Sequence, residues 1–129
     1  MKLATLRTGF GTSAIRIDGD NVGVELDYED VGQLLRSEDW RKAAQLSGEP
    51  VVFDHADLEA VVPAPGKVIC VGLNYAKHIR EMGREFPEHP TLFIKFADAL
   101  TGPYDDVFIP EYGTQKLDYE GCLLYTSPS

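Results

Sequence analysis

The segment Val61-Val62-Pro63-Ala64-Pro65-Gly66 constrains the chain more than any other feature. Its two prolines fix φ and remove backbone donors, and a glycine follows them, so neither a helix nor a central strand can run through it. The 129 residues are therefore expected to form two units joined at this linker, 1–66 and 67 onward. In the first unit Met1–Arg7 and Ser13–Asp18 have strand character, and Asp18-Gly19-Asp20-Asn21 is rich in residues suited to a tight turn. Val22–Leu26 is the returning strand. The spacing then becomes helical: Val31, Leu34 and Leu35 share one face of Asp30–Arg36, and Trp40, Ala43, Ala44 and Leu46 share one face of Glu38–Leu46. Ser37 is the expected N-cap of the second helix, and Trp40 belongs to its apolar stripe and hence to the core. These features describe a small α+β unit.

Beyond the linker, Lys67–Gly72 is a continuous apolar, β-branched run, the pattern of a strand buried on both faces. Asn74 is expected to cap a helix through Met82, which Gly83 stops. Phe86–Pro90 is a proline-bounded loop, Thr91–Phe96 a second strand, Thr101–Asp106 a turn and Val107–Pro110 a third short strand.

Charge and composition exclude several classes. Twelve basic and 21 acidic residues leave a net charge of −9. The imbalance extends over both units, so the chain repels phosphate backbones and no nucleic acid is expected as a partner. A hydrophobic content of 43% with 26% charged residues is that of a soluble globular protein. No apolar run approaches the roughly 20 residues needed to cross a bilayer, and no secretory leader is legible at Met1, so no membrane partner and a cytoplasmic location are expected. Cys70 and Cys122 are far apart and form neither a disulfide framework nor a zinc motif. Cys70, inside an apolar strand, reads as packing.

Three small groups could carry chemistry. His78 and Glu81 stand three residues apart on one helix face. A carboxylate beside an imidazole raises its basicity, as a general base near neutral pH requires, while the same spacing also describes an ordinary solvated pair. Lys95 ends an apolar strand, so its ammonium either reaches solvent or faces a cleft and stabilises charge developing on a substrate oxygen. Asp118 and Glu120 point the same way if their stretch is extended, which suits either a solvated face or a hard divalent cation. His55 and His89 lie in polar loops without a partner motif.

In order along the chain, Cys70-Val-Gly-Leu-Asn-Tyr-Ala-Lys-His-Ile-Arg-Glu-Met-Gly83, Pro90-Thr-Leu-Phe-Ile-Lys95, Leu100-Thr-Gly-Pro103 and Leu117-Asp-Tyr-Glu120 closely resemble the start of the catalytic domain of the fumarylacetoacetate hydrolase family. The resemblance covers about 67–121, and 1–66 resembles the small N-terminal domain of many bacterial members. It implies an α+β chain in which a small N-terminal domain precedes the beginning of a β-sheet-rich catalytic domain. It further implies a divalent cation, Mg²⁺ or alternatively Mn²⁺ or Ca²⁺, a small keto-acid substrate, and a homodimer in the full-length form. By position His78 is the base, Glu81 orients it, Lys95 stabilises an enolate or oxyanion, and Glu120 is the first metal ligand.

The chain departs from the family pattern two residues after Glu120, where Cys122 replaces a second glutamate ligand; a soft thiolate suits a hard cation poorly. The string Cys122–Ser129 also resembles translated sequencing-adapter read-through, so it is expected to be non-native, with the catalytic stretch cut near Gly121. The activity implied is metal-dependent hydrolysis of a carbon–carbon bond in acylpyruvate-type keto acids. Isomerisation of 2-hydroxyhepta-2,4-diene-1,7-dioate or oxo-acid decarboxylation is the alternative within the family, and a non-catalytic binding module is the alternative outside it.

Overall fold

The fold is given by a computed structural model that describes residues 1–113, 117, 119, 121, 122 and 124–127, the last four as backbone. It is α+β, with two antiparallel sheets and few, short helices.

Strands β1 (Lys2–Thr8), β2 (Gly11–Ile17), β3 (Val22–Glu25) and β4 (Pro50–Val52) form the first sheet in that order. The expected turn after β2 is present, with the Asp18 and Gly19 amides both donating to the Val22 carbonyl at 3.0 Å. Alternation along β1 and β2 gives each sheet face its own apolar cluster. Ala4, Leu6, Ile15 and Phe53 pack on one face. On the other, Ala14 and Leu26 pack with Val31, Leu34 and Ala44 from the helical segment. Helix α1 (Val31–Leu35) starts where the Asp30 carboxylate accepts the Gln33 amide at 2.7 Å. Thr5, fully buried, donates its hydroxyl to the Val61 carbonyl at 2.8 Å and accepts the Val31 amide at 3.1 Å, so one side chain ties sheet, helix and linker together.

Helix α2 (Trp40–Ala43) is shorter than the spacing suggests, and Asp39, not Ser37, is its N-cap. Ser37 lies in the turn that joins the two helices: its amide donates to the Leu34 carbonyl at 3.0 Å and its carbonyl accepts the Trp40 amide at 3.2 Å. Arg16 donates to the carbonyls of Ala44 and Leu46 at 3.0 and 2.9 Å, satisfying acceptors that the end of α2 leaves open. Trp40 packs partly buried against the core cluster, with the Arg41 guanidinium 4.3 Å from its ring centroid.

After the irregular linker, β5 (Lys67–Gly72) occupies the centre of the second sheet, between β6 (Thr91–Lys95) and β7 (Leu124–Ser127). The expectation of a strand buried on both faces is corrected. Val68 and Cys70 are buried, but Ile69 and Val71 on the other face are only half-buried. The reason is the neighbour: on that face β6 presents Leu92 and Ile94, which are 61% and 72% exposed, and no layer covers them among the described residues. Val107–Pro110 is not a strand either. It has no pairing partner among the described residues, and Phe108 is 94% exposed. No helix among the described residues is long and apolar enough to cross a membrane.

The two units meet through Arg7 near the end of β1. Its Nε donates to Glu59 at 2.7 Å, and its two terminal nitrogens donate to both oxygens of Asp105 at 2.7 and 2.5 Å. Asp105 also accepts the Gly102 amide at 2.7 Å. Gly102 is buried where a Cβ would stand 2.3 Å from the Leu58 carbonyl, so only glycine fits this approach. Beside it His55 and Tyr104 stack at 5.6 Å, and the ring is held by the Asp20 carbonyl at 2.8 Å and the Tyr104 hydroxyl at 3.2 Å. His55, without a partner in the sequence reading, thus belongs to this joint.

The Arg7 guanidinium, helped by the Gly102 and Ala60 amides, holds the Asp105 and Glu59 carboxyls below their usual range. Depressed native values contribute stability that is complete above the unfolded carboxylate pKa of about 4 and is lost as pH falls through the native values. Circular dichroism melts are therefore expected to give a midpoint that holds from neutrality to about pH 5 and then declines. The decline should be shallower in Arg7→Ala, and identical acid limbs would contradict the assignment. In urea unfolding, Asp30→Ala is expected to cost about 1 kcal/mol through the lost cap, and Leu34→Ala about 3 kcal/mol through the cavity it leaves.

Candidate active site

Antiparallel pairing places directly opposed residues on the same sheet face. In β5 and β6 the opposed pairs are Val68 with Lys95, Cys70 with Phe93, and Gly72 with Thr91. Lys95 is thereby fixed on the face that carries Cys70 and Phe93. The chain leaves β5 through Leu73, whose φ of 51° lies in the left-handed region that a leucine rarely enters. That bend turns the backbone at once into helix α3 (Ala76–Glu81), capped by Tyr75 rather than by the expected Asn74. At the other end Gly83, at φ 64°, donates to the Arg80 carbonyl at 3.0 Å, and the Arg84 amide reaches the Ile79 carbonyl at 3.1 Å, so glycine stops the helix as its position suggests. Ile79 is the buried anchor of α3, 3% exposed, and the residues on either side of it face outward.

These elements enclose an open cavity of about 1010 Å³. Its lining includes His78 and Glu81 from α3, Lys95 and Phe93 from β6, Asn74 and Tyr75 from the turn, and Leu100 from the segment that follows β6. The structure thus brings together three of the four residues singled out in the sequence. The fourth, Glu120, lies outside the described residues, as does Asp118. The flanking Tyr119, Gly121 and Cys122 all line the same cavity, and the Tyr75 hydroxyl donates to the Gly121 carbonyl at 2.9 Å.

Within the site, His78 and Glu81 share a helix face without a direct hydrogen bond between their side chains among the described residues. The Glu81 carboxylate instead stands 3.8 Å from the Lys77 ammonium, both exposed. Lys95 is exposed along its strand and lies 5.9 Å from the Phe93 ring centroid, so it reaches solvent and lines the cleft at once. Cys70, 5% exposed, is buried as expected. The described lining offers a hard dication one carboxylate, Glu81, beside two thiols, and no cluster of three or more potential metal ligands occurs among the described residues. The described residues alone therefore do not fit a metal centre. Sequence reasoning missed Leu73, Tyr75 and Leu100 as lining residues, although all three lie inside the quoted motifs.

Because a β-branched residue tolerates positive φ worse than leucine does, Leu73→Val is expected to lower the unfolding midpoint by more than the equivalent of about 1 kcal/mol. Leu73→Gly should stay within about 1 kcal/mol of wild type, since relief of strain offsets the lost side chain. Equal losses in both would remove backbone strain as the reason.

Comparison with known proteins covers this part of the chain. Residues 67–124 match the family model "Fumarylacetoacetate (FAA) hydrolase C-terminal", three residues beyond the Gly121 boundary read from the sequence. The chain is 48% identical over 61 residues to bovine (Bos taurus) oxaloacetate tautomerase FAHD2A, mitochondrial, an alignment covering 47% of this chain and 19% of the relative. It is 41% identical over 78 residues to human (Homo sapiens) oxaloacetate tautomerase FAHD2B, mitochondrial, covering 60% of this chain and 24% of that one. The chain thus spans about a fifth of the length of these curated relatives. Among solved structures, a protein assigned as HpcE from Mycobacterium smegmatis superposes with a TM-score of 0.68 at 26% identity, over 86% of this chain and 41% of that one. The ordered motifs and these relatives agree in likening residues 67–124 to the C-terminal domain of the fumarylacetoacetate hydrolase family.

Proposed function

We propose that the cavity between α3 and β6 is the active site of an enzyme that moves a proton at carbon 3 of a 2-oxo acid, with oxaloacetate as the first substrate to try. The observation that carries this reading is the convergence of His78 and Lys95, from a helix and a strand, on one cavity. Relatives named as oxaloacetate tautomerases support the choice of substrate.

Each group has a defined task in this scheme. A neutral imidazole nitrogen of His78 takes the proton from carbon 3, and electron density moves to the oxo oxygen. The Lys95 ammonium stabilises the negative charge that forms there. The proton then returns from His78 to carbon or to oxygen, which interconverts keto and enol forms. Glu81, on the same helix face, belongs to the proposal as the residue that orients His78.

Hydrolysis of an acylpyruvate carbon–carbon bond, the reaction implied by the sequence resemblance, expels a comparable enolate but also requires a water placed against the carbonyl. The names of the relatives favour the simpler proton transfer. Family enzymes generally use divalent metals. Mg²⁺, held through Glu120, is the proposed ion, and it would polarise the substrate's oxygens when bound. A homodimer of the full-length protein and a cytoplasmic location belong to the same proposal.

Stopped-flow absorbance of enol-oxaloacetate ketonisation tests it. His78→Ala is expected to reduce kcat about 10²- to 10⁴-fold, and Lys95→Ala should reduce kcat more than it raises KM. Turnover by His78→Ala within about threefold of wild type would overturn the assignment of the base. Release of pyruvate and a carboxylic acid from an acylpyruvate at a comparable kcat/KM would establish the hydrolytic reading instead.

A further inference from the structure

The N-terminal unit supplies none of the residues that line the cavity, yet it grips the segment that forms part of the lining. Ala99 and Leu100 lie on the cavity, Gly102 follows after Thr101, and Asp105 stands three residues beyond Gly102. The segment is short and self-bonded: the Ala99 amide donates to Phe96 at 3.1 Å, Leu100 to Ala97 at 3.0 Å, and Asp105 to Gly102 at 3.3 Å. Little of it is buried, however. Ala97–Ala99 are exposed, Leu100 is half-buried, and only Gly102 is fully buried. Local hydrogen bonds in an exposed segment of this length do not by themselves hold one conformation. What fixes its position comes from β1, 98 residues away in sequence, where the Arg7 guanidinium engages both Asp105 oxygens while Glu59 holds its Nε. A planar guanidinium bonded on two edges sets direction as well as distance, which a point charge does not.

We propose that Arg7 is a positioning residue of the active site. From the N-terminal sheet it holds Asp105, and through Asp105 and Gly102 it holds the wall that Ala99 and Leu100 present to the substrate. The claim about substrate rests on the function proposed above; the claim about the wall does not. The N-terminal unit is then a clamp on the cavity, with Arg7 as its ionic grip beside the close approach of Gly102 to Leu58 and the stacking of Tyr104 on His55.

The test compares the full chain with Arg7→Ala, Arg7→Lys and Asp105→Asn by amide hydrogen exchange and by titration with oxalate in Mg²⁺ buffer. Arg7→Ala and Asp105→Asn are expected to speed exchange at Ala99, Leu100, Gly102 and Asp105 by about tenfold, with the amides of β1 and β2 within about twofold of wild type. Oxalate should bind about fivefold more weakly to Arg7→Ala, and Arg7→Lys should fall between it and wild type. Unchanged exchange in the 99–105 segment would overturn the proposal. So would acceleration spread equally over β1 and β2, which would make Arg7 a fold residue only, or local acceleration with unaltered oxalate affinity. A wild-type chain that does not bind oxalate would instead remove the proposed function, and the exchange data alone would then decide whether Arg7 holds the wall.

Discussion

The antiparallel register of β5 against β6 is the constraint on which the rest of the site depends. Five directly opposed pairs lock it, and a shift by one residue would turn every side chain of β6 to the other face. That register sets Lys95 opposite Val68 and Phe93 opposite Cys70, which decides the face on which the ammonium emerges. A slip of one residue would send Lys95 to the face of Ile69 and Val71 and bring Ile94 to the cavity. The end of β5 is equally decisive. The positive φ at Leu73 makes the turn abrupt, so α3 begins four residues after the strand ends and His78 projects beside the strand pair.

The N-terminal unit has a self-sufficient core, with an apolar cluster on each face of its sheet. The second unit has not. Its cavity face is organised, while its other face exposes Leu92 and Ile94. This imbalance explains why the contact at Arg7 matters to the second unit more than to the first. Where a wall has few buried contacts, one well-oriented ionic clamp has a proportionately larger effect on its order.

Much of this was legible in the sequence because it is local. The hairpin after β2, the strand at Lys67–Gly72, the Gly83 stop and the shared helix face of His78 and Glu81 each follow from a few adjacent residues. What was not legible depends on distant partners. Pro50–Val52 is too short to declare itself and becomes a strand only by pairing with Val22–Val24. Val107–Pro110 has strand composition but no partner among the described residues, and composition alone does not make a ladder. Ser37 has cap chemistry, but it lies in the turn between the helices and α2 starts only after Asp39. Arg7 and Asp105 carry no motif, and only the fold shows that the two are joined. Of the candidate site, His78, Glu81 and Lys95 could be named from spacing and resemblance, whereas their convergence required the register of β5 with β6.

Two cavities adjoin the turn from β5 to α3, one lined by His78 and Lys95 and the other by Phe86, His89 and Thr91. The direct measurement is a titration of the isotopically labelled chain with oxalate in Mg²⁺ buffer, followed by amide chemical shifts. The account predicts that shifts concentrate at Lys95, Leu100, Lys77 and His78, with Val71–Asn74 responding as the shared border. Shifts centred on Phe86, Glu88, His89 and Thr91 would place the ligand in the other cavity and contradict the assignment of the active site.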